Sequence, residues 1–207
     1  MANGGQLSVN GILSRAWGLF RADWADYLQV GAVVWVAVLL GAALGQLHDS
    51  FALLGGILIV GPVGVGAVSA LLTHKRTGRL DHDRVFDGFR MYPQAVVASV
   101  LAAAVHLLGL LACGVGIVPA HGLLLVFFPI LCDQKDPARA LRGSWNFFLR
   151  DPWALVVLAL VLMVLHVVGA LVFTVGLVAT MPFAYLVSIL LYEEALRSEP
   201  QPPAPMP

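Results

Sequence analysis

Long apolar stretches alternate with short polar ones along the chain, and six of them approach the length of a membrane span. They run approximately over residues 27–47, 51–73, 93–112, 115–131, 153–175 and 177–192. A bilayer core of roughly 30 Å takes about 20 helical residues. The pattern therefore predicts an all-α integral membrane protein with six transmembrane helices. The fourth and sixth stretches are short, and whether they cross the whole core is left open.

A segment of helical periodicity precedes each pair of spans. In residues 8–24 the apolar positions fall three or four apart, with polar residues between them. Similar segments run over residues 84–90 and 136–150. We interpret the chain as three helical hairpins, each preceded by a cytoplasmic-side amphipathic interfacial helix. A helix packed on a soluble core is the alternative.

Aromatic residues in these segments are candidate interfacial anchors, because tryptophan and other aromatic rings favour headgroup depth. The candidates are Trp17, Phe20, Trp24, Phe86, Phe89, Trp145 and Phe148. For the third segment the spacing predicts an apolar stripe. It comprises Ala138, Leu141, Trp145 and Phe148.

Helix starts are also predicted. Asp136-Pro137 and Asp151-Pro152 each place a capping carboxylate before a proline in the first turn. Asp81 is a candidate N-cap for a short helix in the second segment.

The segments and hairpins predict a threefold internal repeat. Phe20, Phe89 and Phe148 mark one position in each unit, and Pro62, Pro119 and Pro182 mark another in the later helix of each hairpin. The period is about 60 residues. We predict one membrane domain, 1–197, with repeats at about 8–74, 81–133 and 136–196, and a disordered proline-rich tail, 198–207. Chance similarity among apolar helices is the alternative.

Each of the three prolines is predicted to bend its helix, because proline frees a backbone carbonyl. A re-entrant or gating element is the functional alternative. The glycine-rich run from Gly61 to Gly66 lacks the lysine and strand of a phosphate-binding loop, and is interpreted as a helix-packing surface.

Charge placement predicts the topology. All twelve basic residues fall before span one, between spans two and three, between four and five, or after six. The positive-inside rule makes that side cytoplasmic, with both termini on it. Eleven of the twelve acidic residues share this side, Asp49 being the exception. Because arginine outnumbers lysine ten to two and small apolar residues dominate the spans, a bacterial cytoplasmic (inner) membrane is the expected location.

Composition excludes several classes of protein. The chain is 59% hydrophobic and 12% charged, whereas soluble domains carry about 25% charge. Its formal net charge is zero, so nothing indicates a nucleic-acid partner. No span carries a charged residue at depth, which argues against an ion-coupled transporter. Neither metalloprotease, nucleophile-elbow, P-loop nor dinucleotide-binding motifs occur, and we expect no enzyme activity.

Histidines are the main candidates for polar functional residues inside the spans. His106 and Cys113 lie seven residues apart on one helical face, and His166 occupies a matching position in span five. If these residues converged with Met163, they could bind copper or zinc, or hold a haem. Neutral histidines hydrogen-bonded between helices are the alternative. No close ligand spacing is present, and we expect no cofactor.

Two short motifs carry a resemblance. Ala140-Leu141-Arg142-Gly143-Ser144-Trp145-Asn146 and Ser14-Arg15-Ala16-Trp17-Gly18-Leu19-Phe20 resemble the opening motif of a loose group of bacterial six-span membrane proteins. That group includes several families of unknown function and the membrane domain preceding some glycerophosphodiester phosphodiesterases. The resemblance covers nearly the whole chain and implies the membrane module alone. The group offers no established catalytic residues to carry over.

These features favour a non-enzymatic module that organises membrane lipid and can self-assemble. Its expected partners are membrane lipids, a second copy of the chain, or another membrane protein. A transporter or channel for a neutral, lipidic or metal solute is the alternative, since internal repeats and bent helices suit a pathway between repeats. An enzyme acting on lipid ranks third, because no acid–base pair is visible.

Overall fold

The computed structural model describes residues 7–112, 114–172 and 175–197, which form helices joined by short turns, with no β-strand among them. The α-helices are α1 (Val9–Ala22), α2 (Trp24–Gly45), α3 (Asp49–Gly55), α4 (Gly61–Thr77), α5 (Asp87–Arg90), α6 (Tyr92–Leu111), α7 (Ile117–Leu124), α8 (Phe127–Gln134), α9 (Pro137–Arg150), α10 (Pro152–Leu171) and α11 (Leu177–Arg197). The predicted all-α class is confirmed. Cys113 and the predicted tail, 198–207, lie outside the described residues.

Six helices of the described chain are long and apolar enough to span a membrane, so the predicted number of spans is confirmed. They are Trp24–Gly45, Ser50–Thr77, Tyr92–Leu111, Ile117–Gln134, Pro152–Leu171 and Leu177–Arg197. The second joins α3 to α4 through a π-helical turn, Gly56–Val60, and the fourth combines α7 and α8. The chain is therefore a multi-pass membrane protein.

Aspartate side chains begin several helices as the sequence predicts. Asp136 accepts two backbone N–H bonds from the first turn of α9, at 3.0 and 3.2 Å, with Pro137 as the first helical residue. Asp151 caps α10 through a 3.2 Å bond. Asp81 caps a 3-10 turn, His82–Phe86. These carboxylates satisfy N–H groups that have no partner within the helix.

Adjacent helices of each hairpin approach closely where two glycines face each other. The three pairs are Gly41–Gly55, Gly109–Gly116 and Gly169–Gly176. The second and third pairs share a spacing of seven residues and lie 60 residues apart (109 to 169, and 116 to 176). Without side chains the two backbones can meet near the turn. The threefold repeat stays a prediction, and these matched contacts support it for the second and third hairpins.

The segment before the third span is shorter than its counterparts. It consists of the 3-10 turn and the single helical turn α5, packed against the glycine-rich face of α4. A Cβ at Gly66 would overlap the carbonyl oxygen of Val85, and one at Gly88 would overlap that of Pro62. These two glycines therefore let the backbones touch, in agreement with the predicted packing role of the glycine-rich run.

The prolines act differently in the three hairpins. Pro62 follows the π-helical turn, and the Tyr92 hydroxyl donates to the carbonyl of Leu58, the residue four positions before that proline (3.2 Å). Pro119 lies in the first turn of α7, where a missing N–H breaks no helical hydrogen bond. The break in span four falls instead after α7, at residues 125–126. Pro182 lies inside α11, which continues through it.

Ion pairs tie α1, α4, α8 and α11 together. The pairs between these helices are Arg15–Glu194 (2.6 Å), Lys75–Glu193 and Arg76–Asp133 (2.7 Å). Tyr192 adds a hydroxyl bond to Asp133 at 2.8 Å. Residues predicted to share one side of the membrane are thus in direct contact.

Candidate functional site

Three aromatic pairs, each with its members three residues apart, occur in the segments before the hairpins. They are Trp17–Phe20, Phe86–Phe89 and Trp145–Phe148. The first member of each pair is exposed to a nearly equal extent, 54%, 53% and 52% respectively. A repeated, half-exposed aromatic ring beside basic residues is suited to a boundary between an apolar and a polar solvent.

The second residues of the three aromatic pairs are buried to different degrees. Phe20 is buried, stacks on Tyr27 at 5.7 Å and meets Phe183 edge-on at 6.1 Å. Phe89 is exposed, whereas Phe148 is half-buried. Trp24, the remaining predicted anchor, is exposed at the start of α2. The structure therefore presents most of the predicted anchors on its surface and uses Phe20 for packing.

The inward face of α9 differs from the predicted stripe. Ala140, Ser144 and Phe147 are buried, and the Ser144 hydroxyl donates to the carbonyl of Leu123. Ala16 is buried one position before an exposed tryptophan in α1, as Ser144 is in α9. The small residue before each tryptophan was the available signal, because a small side chain allows close helix contact.

Part of the predicted stripe instead lines an apolar groove of about 620 Å³ between α6, α7 and α9. The lining residues are Val105, Leu108, Pro119, Ala120, Leu123, Leu141, Arg142, Trp145, Asn146 and Phe148. Arg142 is the one charged residue of this lining. The helix thus has two apolar flanks, one against the protein and one along the groove.

A second apolar groove, of about 820 Å³, lies between α2, α3 and α6. Its lining residues are Leu44, Leu47, Phe51, Leu54, Gly55, Leu58, Ile59, Phe89 and Tyr92. None of these carries a charge. The two grooves therefore differ in charge: Arg142 lines the groove between α6, α7 and α9, whereas no charged residue lines the groove between α2, α3 and α6.

A cavity of about 230 Å³ lies among α6, α7, α10 and α11, and three histidines line it. His106 and His166 donate from Nδ1 to the carbonyls of Ala102 (2.9 Å) and Leu162 (2.7 Å), each four residues earlier. His106 Nε2 lies 3.4 Å from Nδ1 of His121. With every ring neutral, these bonds leave the Nε2 atoms of His121 and His166 as acceptors.

The sequence therefore identified two of the three histidines that share this cavity. His121 could have been found from the hairpin, since it and His106 lie at similar distances from the turn that joins α6 to α7. Cys113, the remaining residue of the predicted metal site, lies outside the described residues. Within the described ranges no group of three His, Cys, Asp or Glu residues is arranged to hold a metal ion. The metal site stays a prediction.

Comparison with protein-family models, curated proteins and solved structures finds no match for this chain.

Proposed function

We propose that this multi-pass membrane protein is a non-enzymatic module that organises membrane lipid from the cytoplasmic side of a bacterial inner membrane. The observation that supports this most is the nearly equal exposure of Trp17, Phe86 and Trp145, each three residues before a second aromatic. Each ring can insert at headgroup depth beside arginine side chains. Three such insertions in one leaflet displace lipid asymmetrically, which favours curvature or clustering of copies.

We expect Trp17→Glu and Trp145→Glu each to disturb membrane behaviour, because each places a carboxylate where an apolar ring contacts lipid. The measurement is the distribution of the labelled full-length protein in giant vesicles of mixed curvature, and its assembly state in lipid nanodiscs. Wild-type protein should enrich in curved regions or form clusters, and the variants should spread evenly as single copies.

Ser14→Glu is the matched control, since it adds the same charge at an exposed polar position of α1. It should behave as wild type. If both tryptophan variants distribute and assemble like the control, the organising role is refuted.

The histidine cavity favours a second candidate, a pathway for a small neutral solute that donates hydrogen bonds. His106, His121 and His166 are the polar groups such a solute would meet among the spans, together with Tyr185 and Ser188. We expect proteoliposomes to pass a solute such as glycerol faster than protein-free vesicles. Stopped-flow light scattering measures this, and His106→Phe with His166→Phe should abolish the excess. Equal rates with and without protein would reject the pathway for that solute.

A further inference from the structure

We propose that the groove between α6, α7 and α9 is a binding site for one anionic phospholipid, with its phosphate on Arg142 and an acyl chain along the apolar wall. This inference rests on the proposed lipid-organising function and assigns it a specific ligand. Its volume of about 620 Å³ is enough for part of one acyl chain, and its lining is almost entirely apolar.

Charge is the first argument for this occupant. Arg142 is exposed, and no carboxylate partner for it is found within the described part of the chain. Its neighbour Arg139 on the same helix is paired with Asp136 at 3.3 Å. A guanidinium offers two parallel N–H donors that match a phosphate, and it remains charged at any physiological pH. An unpaired arginine at the edge of an apolar groove is thus complementary to a phosphate joined to a hydrocarbon chain.

The residues beside Arg142 supply the second argument. Asn146 lies one helical turn further on and also lines the groove, so its amide can hydrogen-bond to a glycerol or headgroup oxygen. Trp145 lies between them with half its surface exposed. Arg142, Trp145 and Asn146 therefore place a cation, an aromatic ring and an amide beside the apolar lining, which suits the headgroup region of a phospholipid whose acyl chain occupies the groove.

The groove between α2, α3 and α6 provides an internal contrast. It is larger, at about 820 Å³, but no charged residue lines it. Its one hydroxyl, on Tyr92, donates to the carbonyl of Leu58. A lipid acyl chain can occupy that groove whatever headgroup the lipid carries. The Arg142 groove should instead select anionic lipid, because zwitterionic choline headgroups present a cation beside the phosphate.

The test is native mass spectrometry of the full-length protein titrated with phosphatidylglycerol or with phosphatidylcholine of identical acyl chains. Wild-type protein should bind one phosphatidylglycerol about tenfold more tightly than phosphatidylcholine. Arg142→Gln should remove that preference, and Arg139→Gln should retain it. Free inorganic phosphate at millimolar concentration should not displace the lipid, because the acyl chain supplies much of the binding.

Four results would overturn the assignment. They are the absence of any headgroup preference in the wild type, retention of that preference in Arg142→Gln, its equal loss in Arg142→Gln and Arg139→Gln, and displacement of the lipid by phosphate alone. Arg142 is exposed, so its substitution leaves the core intact and the variant remains interpretable. Trp17 does not line this groove, so Trp17→Glu separates the two proposals. If Trp17→Glu still alters assembly while Arg142→Gln keeps its lipid preference, this site fails but the organising function stands. If lipid selectivity depends on Arg142 while Trp17→Glu leaves assembly unchanged, the organising function fails but the site stands.

Discussion

Gly66→Ala is expected to lower the free energy of unfolding by about 3 kcal/mol or more. The added methyl group would overlap the carbonyl oxygen of Val85, and the atom it meets is backbone, which cannot rotate away. The segment holding the 3-10 turn and α5 would have to lift off α4. Heating the detergent-purified protein and measuring the surviving monodisperse fraction should show a melting temperature lower by roughly 6–12 °C.

Gly64→Ala is the matched control for this change, two residues away in the same helix. Its methyl group would meet only the Tyr185 hydroxyl, at an ordinary contact distance of 3.4 Å. Alanine is also the better helix former, so stability should be unchanged or slightly raised. Equal melting temperatures for the two variants would show that the segment does not lie on α4 as described.

Leu162→Ala should lower the free energy of unfolding by about 3 kcal/mol, within the range observed for leucine truncations in packed cores. Leu162 is fully buried on α10, and its loss leaves a void that neighbouring helices fill only in part. The free energy of unfolding can be measured by titrating denaturing detergent into mild-detergent micelles while following tryptophan fluorescence.

Leu160 offers the comparison from the opposite face of the same helix, where half of its side chain is exposed. Leu160→Ala removes the same atoms from a position that faces lipid or detergent, so the free energy of unfolding should change by less than about 0.5 kcal/mol. A larger loss from Leu160→Ala than from Leu162→Ala would mean that α10 is rotated from the orientation found here.

The spans and helix starts were predictable from sequence because both depend on local chemistry. An uninterrupted apolar stretch needs no partner to be recognised, and the side chains of Asp136 and Asp151 bond to backbone groups within their own helix turns. The break in span four was less predictable. Pro119 marks a helix start, whereas the chain departs from the helix at residues 125–126.

The inward faces of the amphipathic helices were harder to assign, because both flanks of α9 are apolar. Hydrophobic spacing predicted that Leu141 and Trp145 would face the protein interior. The buried residue is instead Ser144, whose hydroxyl donates a hydrogen bond to the Leu123 carbonyl. That carbonyl is 21 residues away in sequence, and no periodic pattern points to it. The contact between Gly66 and Val85 is likewise a pairing between elements that sequence spacing does not reveal.

The last helix returns to the first. Helix α11 packs against α1 and α2, and Arg15 of α1 pairs with Glu194 of α11. The backbone N–H of Leu7, just before α1, also donates to the Asp151 carboxylate at 3.1 Å. Helix α11 is therefore held against both the first span and the segment before it, by contacts between residues as many as 179 positions apart. Removal of α11 would consequently expose apolar faces of α1 and α2 together, because buried residues of both helices belong to the same core as those of α11.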